Sequence, residues 1–125
     1  MVFSYLRRWE RDYPIIPVEL RYRGRGLLTE GLVDSGANLS VFSADIADYL
    51  GLPLTRGKAL ILQGVGGRIL GYQHTLKLKV GTAEFRLPIC FSAELVTSFN
   101  LLGREGFFQK FRVTFDEGKK RLFLR

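Results

Sequence analysis

The sequence predicts a mostly β domain of the closed-barrel or sandwich kind, with two short helices. Three observations predict it. Apolar and polar residues alternate in many short runs, glycine and proline clusters punctuate those runs, and only two stretches carry helix signals. The 125 residues suffice for one domain with a buried core, and 46% hydrophobic with 25% charged residues is an ordinary globular balance.

Residues 1–13 are expected to form an arm. Phe3, Leu6 and Trp9 recur every third residue, which predicts one or two helical turns with an apolar stripe. Pro14 and Pro17 then open an extended segment in which Val18, Leu20 and Tyr22 alternate with Glu19, Arg21 and Arg23. Arg23-Gly24-Arg25-Gly26 reads as a turn, and Leu27 to Val33 as the returning strand. A short apolar stretch, Leu39 to Phe42, leads into a helix with Ser43 as N-cap, Asp45 in its first turn and Gly51 then Pro53 as its stop. Ile46, Ala47 and Leu50 form its inner face.

Two further strands, Lys58–Gln63 and Arg68–Tyr72, flank the glycine-dense tip Gly64-Val65-Gly66-Gly67. Strands follow at Gln73–Val80 and Ala83–Cys90, joined at Gly81-Thr82. Asn100-Leu101-Leu102 predicts another strand, running into Gly103 and a short helix to about Phe111. A terminal hairpin of Arg112–Phe115 and Arg121–Leu124 closes the chain.

Composition narrows the function. Cys90 is the only cysteine and His74 the only histidine, so neither an internal disulfide nor a metal centre is predicted, and both side chains are read as packed strand residues. The glycine-rich tip lacks the Gly-Lys-Ser/Thr of a nucleotide loop. The net charge of +7 is spread along the chain, from Arg7 and Arg8 to Lys119, Lys120 and Arg121, without a basic helix stripe. It predicts a basic surface without specific nucleic-acid binding. No apolar run is long enough to span a membrane and no signal-peptide core opens the chain, which predicts a cytoplasmic protein. The sequon Asn38-Leu39-Ser40 is then incidental.

The stretch Gly31-Leu32-Val33-Asp34-Ser35-Gly36-Ala37-Asn38 organises the rest. An apolar strand end delivers one carboxylate, Asp34. Ser35 follows with a short hydroxyl, and Gly36 permits a tight or left-handed turn. Taken alone, these three residues also suit an ordinary turn. Together with the Gly64–Gly67 tip and Leu101-Leu102-Gly103-Arg104 before a short helix, they resemble the retropepsin-like aspartic proteases, single-lobe relatives of pepsin that include the retroviral proteases and bacterial counterparts. The resemblance covers roughly residues 15–125.

That resemblance implies a closed β-barrel of the retropepsin type, one lobe per chain, with domain limits at 14–125 behind the arm 1–13. It implies Asp34 as the catalytic aspartate, Ser35 as the hydroxyl tying two catalytic loops together, and Gly36, with Ala37 and Asn38 beside it, as substrate-backbone contacts. Gly64, Val65, Gly66 and Gly67 form the flap over the substrate. Leu101, Leu102 and Gly103 pack behind the catalytic loop and Arg104 braces it. Retroviral members carry an acid where this chain has Asn38, so an ion pair to Arg104 is lost or replaced.

The implied chemistry needs no cofactor and no metal, but it needs two acids, one accepting a proton from water and one donating to the scissile carbonyl. Asp45, Asp48 and Asp116 lack the Ser-Gly context, so the second acid is expected from Asp34 of another copy, in a homodimer cleaving extended polypeptides. A catalytically silent peptide- or protein-binding module on the same fold, and a basic nucleic-acid-binding barrel, are the competing functions.

Overall fold

In the computed structural model, which describes residues 1–64, 67–95 and 97–125, the core is a ring of strands. β4 (Ile15–Tyr22) pairs antiparallel with β5 (Arg25–Val33), and β5 pairs in parallel with the two-residue β10 (Leu101–Leu102). β10 pairs with β6 (Ser40–Ser43), β6 in parallel with β9 (Ala83–Ser92), and β9 with β8 (Gly67–Val80). Residues Lys77–Lys79 of β8 return to Arg21–Glu19 of β4, which closes the ring. β7 (Lys58–Gly64) lies outside it, paired only along Gly67–Gln73 of β8. A closed ring leaves no edge where it encloses the core, and the free hairpin β7–β8 projects from it.

The alternation that predicted the strands also fills the ring. Val18 and Leu20 of β4, Leu76, Leu78 and Val80 of β8, and Leu87 and Ile89 of β9 are all buried, whereas Thr75, Lys77 and Lys79 face outward. Helix α1 (Ala44–Tyr49) starts where predicted: the Ser43 hydroxyl accepts from Asp45 N at 3.3 Å, and Gly51 ends the turn at φ +70. His74 is half-buried and its Nε2 lies 2.8 Å from the Leu54 carbonyl oxygen, while Cys90 is buried, both as expected of packed strand residues.

Three expectations need correction. The first thirteen residues are strands, not helix: β1 (Val2–Ser4), β2 (Leu6–Arg8) and β3 (Arg11–Tyr13). β1 pairs with β12 (Arg121–Leu124), which pairs with β11 (Val113–Asp116), so long-range pairing overrides the local three-residue spacing. β2 and β3 form a hairpin through Trp9 and Glu10, both at positive φ (47 and 63), the geometry of a two-residue turn matched to strand twist. Second, Arg68–Tyr72 and Gln73–Val80 are one continuous 14-residue strand, because β9 supports it across that junction. Third, the helix after Gly103 is broken: Glu105 (ψ 121) and Gly106 (φ 88) interrupt it before the turn through Phe107–Phe111. Gly106 sits so close to Leu87 and Pro88 of β9 that a side chain there would clash, and its positive φ is one that glycine adopts freely.

Candidate active site

The candidate site is a crossover. β10 is inserted between β5 and β6, so the loop 34–39 that joins those two strands has to pass over the end of β10. Leu32 and Val33 lie in register with Leu101 and Leu102, so the strand pairing fixes where Asp34 emerges. Its backbone N–H donates to the Leu102 carbonyl at 3.0 Å, and Val33 N–H donates to Pro14 O at 2.9 Å. The strand before Asp34 is therefore held from both sides.

The loop beyond it is equally well tied. Ala37 N–H donates to Asp34 O at 3.1 Å, and Gly36 N–H donates to the Asp34 Oδ1 carboxylate oxygen at 2.9 Å. Arg104 N–H donates to Ala37 O and Glu105 N–H to Asn38 O, both at 2.8 Å. Gly103 N–H donates to the hydroxyl of the fully buried Ser40 at 3.0 Å. A side chain at Gly103 would run into the carbonyl oxygens of Leu39 and Ala37, so glycine is what allows the two segments to cross. Six backbone donors at the crossover, those of Asp34, Gly36, Ala37, Gly103, Arg104 and Glu105, have acceptors within the fold, which favours one geometry.

Each predicted site residue can now be placed. Asp34 is half-buried, with Oδ1 engaged by Gly36 N–H, while Ser35, Gly36 and Asn38 are exposed and Ala37 is half-buried. Gly36 is not at positive φ; glycine is fitting there because a Cβ would crowd Asp34 Oδ1 at 3.2 Å. Leu102 and Gly103 are buried directly beneath the loop. Arg104 Nη1 reaches Asn38 Oδ1 at 3.5 Å, so a contact to a neutral amide takes the place of an ion pair. Ser35, Asn38, Arg104, Glu105, Phe108 and Gln109 line an open recess of about 630 Å³ beside the loop. Gly64 and Gly67 are exposed at the end of the β7–β8 hairpin, and Val65 and Gly66 lie outside the described residues.

Two polar residues that sequence reasoning missed hold the crossover together. Ser40 is one. Asn100 is the other: its Oδ1 accepts from Ser43 N–H at 3.1 Å, its Nδ2 donates to Glu30 O at 3.0 Å, and its carbonyl accepts from Leu32 N–H at 2.7 Å. A polar residue placed immediately before an apolar pair and a glycine was the available clue for Asn100. Ser40 gave none, since it sits in an unremarkable apolar stretch.

A ring of short strands with one acid presented at the β5–β10 crossover defines a single-lobed aspartic protease fold. The solved retropepsin-like aspartic protease from Rickettsia conorii has it too, superposing with a TM-score of 0.71 at 20% sequence identity over 98% of this chain and 97% of that one. The family model described as aspartyl protease matches residues 18–105, and the chain belongs to that family. No curated protein matches it at a significant level.

Proposed function

We propose that the protein is an aspartic endopeptidase that hydrolyses peptide bonds in extended polypeptides, with water activated between Asp34 and Asp34 of a second copy. The observation that carries this is the crossover: it spends a dense set of backbone hydrogen bonds on presenting a single, partly exposed carboxylate. One carboxylate cannot both take a proton from water and donate one to the carbonyl. Asp45 and Asp48 belong to α1 and Asp116 to the terminal hairpin, where it receives Lys119 N–H. A two-fold axis beside Ser35 supplies the missing acid as a second Asp34. Two carboxyls about 3 Å apart cannot both ionise readily, so they share one proton, as aspartic proteases do in general.

The exposed Ser35 hydroxyl has no acceptor among the described residues, and in such a dimer it reaches the facing loop. The β7–β8 hairpin then acts as the flap, its glycine-rich end approaching the substrate backbone, and an extended substrate binds between flap and loop by main-chain hydrogen bonds.

The test is proteolysis of an unfolded protein from acid to neutral pH, read by mass spectrometry, with wild type beside Asp34→Asn. Cleavage by wild type alone is expected. Silence from both, with dimers confirmed by sedimentation, turns the function to a peptide-binding module on the same fold. Equal cleavage by both removes Asp34 from the chemistry.

A further inference from the structure

The end of β5 remote from Asp34 carries a second recess, of about 530 Å³. β5 spans 9 residues, so on the order of 25 Å of strand separates the two. The β4–β5 hairpin turns through Arg23-Gly24, both at positive φ, which brings Arg23 and Arg25 to one wall. The chain leaving α1 turns at Gly51 and Pro53 and adds Arg56, with the apolar Leu50 and Pro53, to the lining.

The arginines are partly positioned already. Arg25 Nη1 donates to Tyr49 O at 2.9 Å and its guanidinium lies over the Tyr49 ring, while Arg23 lies over the Tyr22 ring. No carboxylate lines this recess, and none of its three arginines forms an ion pair among the described residues. Of the cations on the strands leading away from it, Arg21 is paired with Glu19 and Lys77 with Glu84. Three unpaired arginines thus converge on one concave place.

We propose that this recess binds a short acidic polypeptide segment. Guanidinium forks pair with carboxylates in two-point contacts, and Leu50 with Pro53 accommodates the methylenes of glutamate side chains. A nucleic acid strand needs a longer run of cations tracking its backbone than the three arginines that line this recess. The site lies beyond the endopeptidase machinery and its occupancy does not depend on catalysis.

The test is fluorescence anisotropy with fluorescein-labelled hexaglutamate, on the Asp34→Asn protein so that nothing is cut. Binding is expected, weakened at least about tenfold by Arg23→Ser with Arg56→Ser. A variant losing the same charge elsewhere, Arg86→Ser with Lys119→Ser, is expected to bind as its parent does. Arg25 is left in place because it holds the Tyr49 carbonyl. Absence of binding, equal weakening in both variants, or tighter binding of hexathymidylate than of hexaglutamate at the same salt concentration each overturns the proposal.

Discussion

The loop around Asp34 and the end of the β7–β8 hairpin are both glycine-bearing turns, yet they are built in opposite ways. At the loop, Asp34, Gly36, Ala37, Gly103, Arg104 and Glu105 all donate their backbone N–H groups to acceptors inside the molecule. The hairpin beyond Gly71 rests on its own ladder, and Ile61, Gln63, Gly64, Gly67, Arg68 and Leu70 are all exposed. Its attachment to the body is at the base, where Leu70 N–H donates to Glu94 Oε2 at 3.0 Å and the Ser92 hydroxyl donates to Leu70 O at 2.6 Å. Under the proposed function the difference is a division of labour: a reacting acid would gain from a single over-determined position, while a covering element would have to lift and settle.

The largest effect expected is at the acid itself. Asp34→Asn keeps the shape and the bond to Gly36 N–H but removes the proton exchange, so peptide cleavage should fall roughly 10³–10⁴-fold with thermal stability almost unchanged. A comparable loss of stability would mean that Asp34 holds the fold together instead. Next comes Gly103→Ala, which forces a methyl against two carbonyl oxygens at the crossing point. It should cost about 2–3 kcal/mol in a denaturant titration, and activity should fall with it because the loop shifts. Ser40→Ala follows, leaving the buried Gly103 N–H without its acceptor at about 1–3 kcal/mol. If Gly103→Ala were neutral, the loop would be far more compliant than its hydrogen bonds imply.

The same contrast explains what could be read in the sequence. β4, β5 and α1 were legible because each writes its own signal locally: alternation over Val18–Arg23, a glycine-bearing turn with an apolar return, or a cap followed by a stop. Asp34, Gly103 and Arg104 were legible as a spaced constellation. Strands β1 to β3 were not, since three residues cannot display a period of two, and β1 owes its form to Arg121–Phe123 at the far end of the chain. The Phe3, Leu6 and Trp9 spacing that suggested a helix is divided between two strands and a turn. Trp9 instead packs edge-on against Phe99 at 5.3 Å, a contact that sequence spacing cannot announce. Ser40 and Asn100 escaped for a related reason: their partners, Gly103, Ser43 and Glu30, are brought together only by the crossover.

A smaller effect is expected at the hairpin's base. Ser92→Ala removes the donor to Leu70 O and the acceptor for Glu94 N–H, at about 1 kcal/mol. Hydrogen exchange should quicken at Leu70 and Gly71 while Asp34 and Ala37 stay protected. Equal quickening at both places would show that loop and hairpin open as one unit.

The smallest effect near neutral pH tests whether the hairpin's base stays shut. Cys90 lies opposite Gln73, its Sγ packed where a side chain on Gly71 would have to go, and burial pushes the thiol up from 9.0 to about 11. Burial disfavours the thiolate, so the folded chain holds this proton where the unfolded chain releases it. The stabilisation is full below pH 9 and is lost as pH rises toward 11. Between pH 7 and pH 9 the loss should be only about 0.4 kcal/mol, read as the change in the stability difference between wild type and Cys90→Ala. It should grow steadily above pH 9. A difference that stays flat to pH 11 would mean that water already reaches the thiol through an opened base, and the hairpin would then be hinged below Gly71 instead of beyond it.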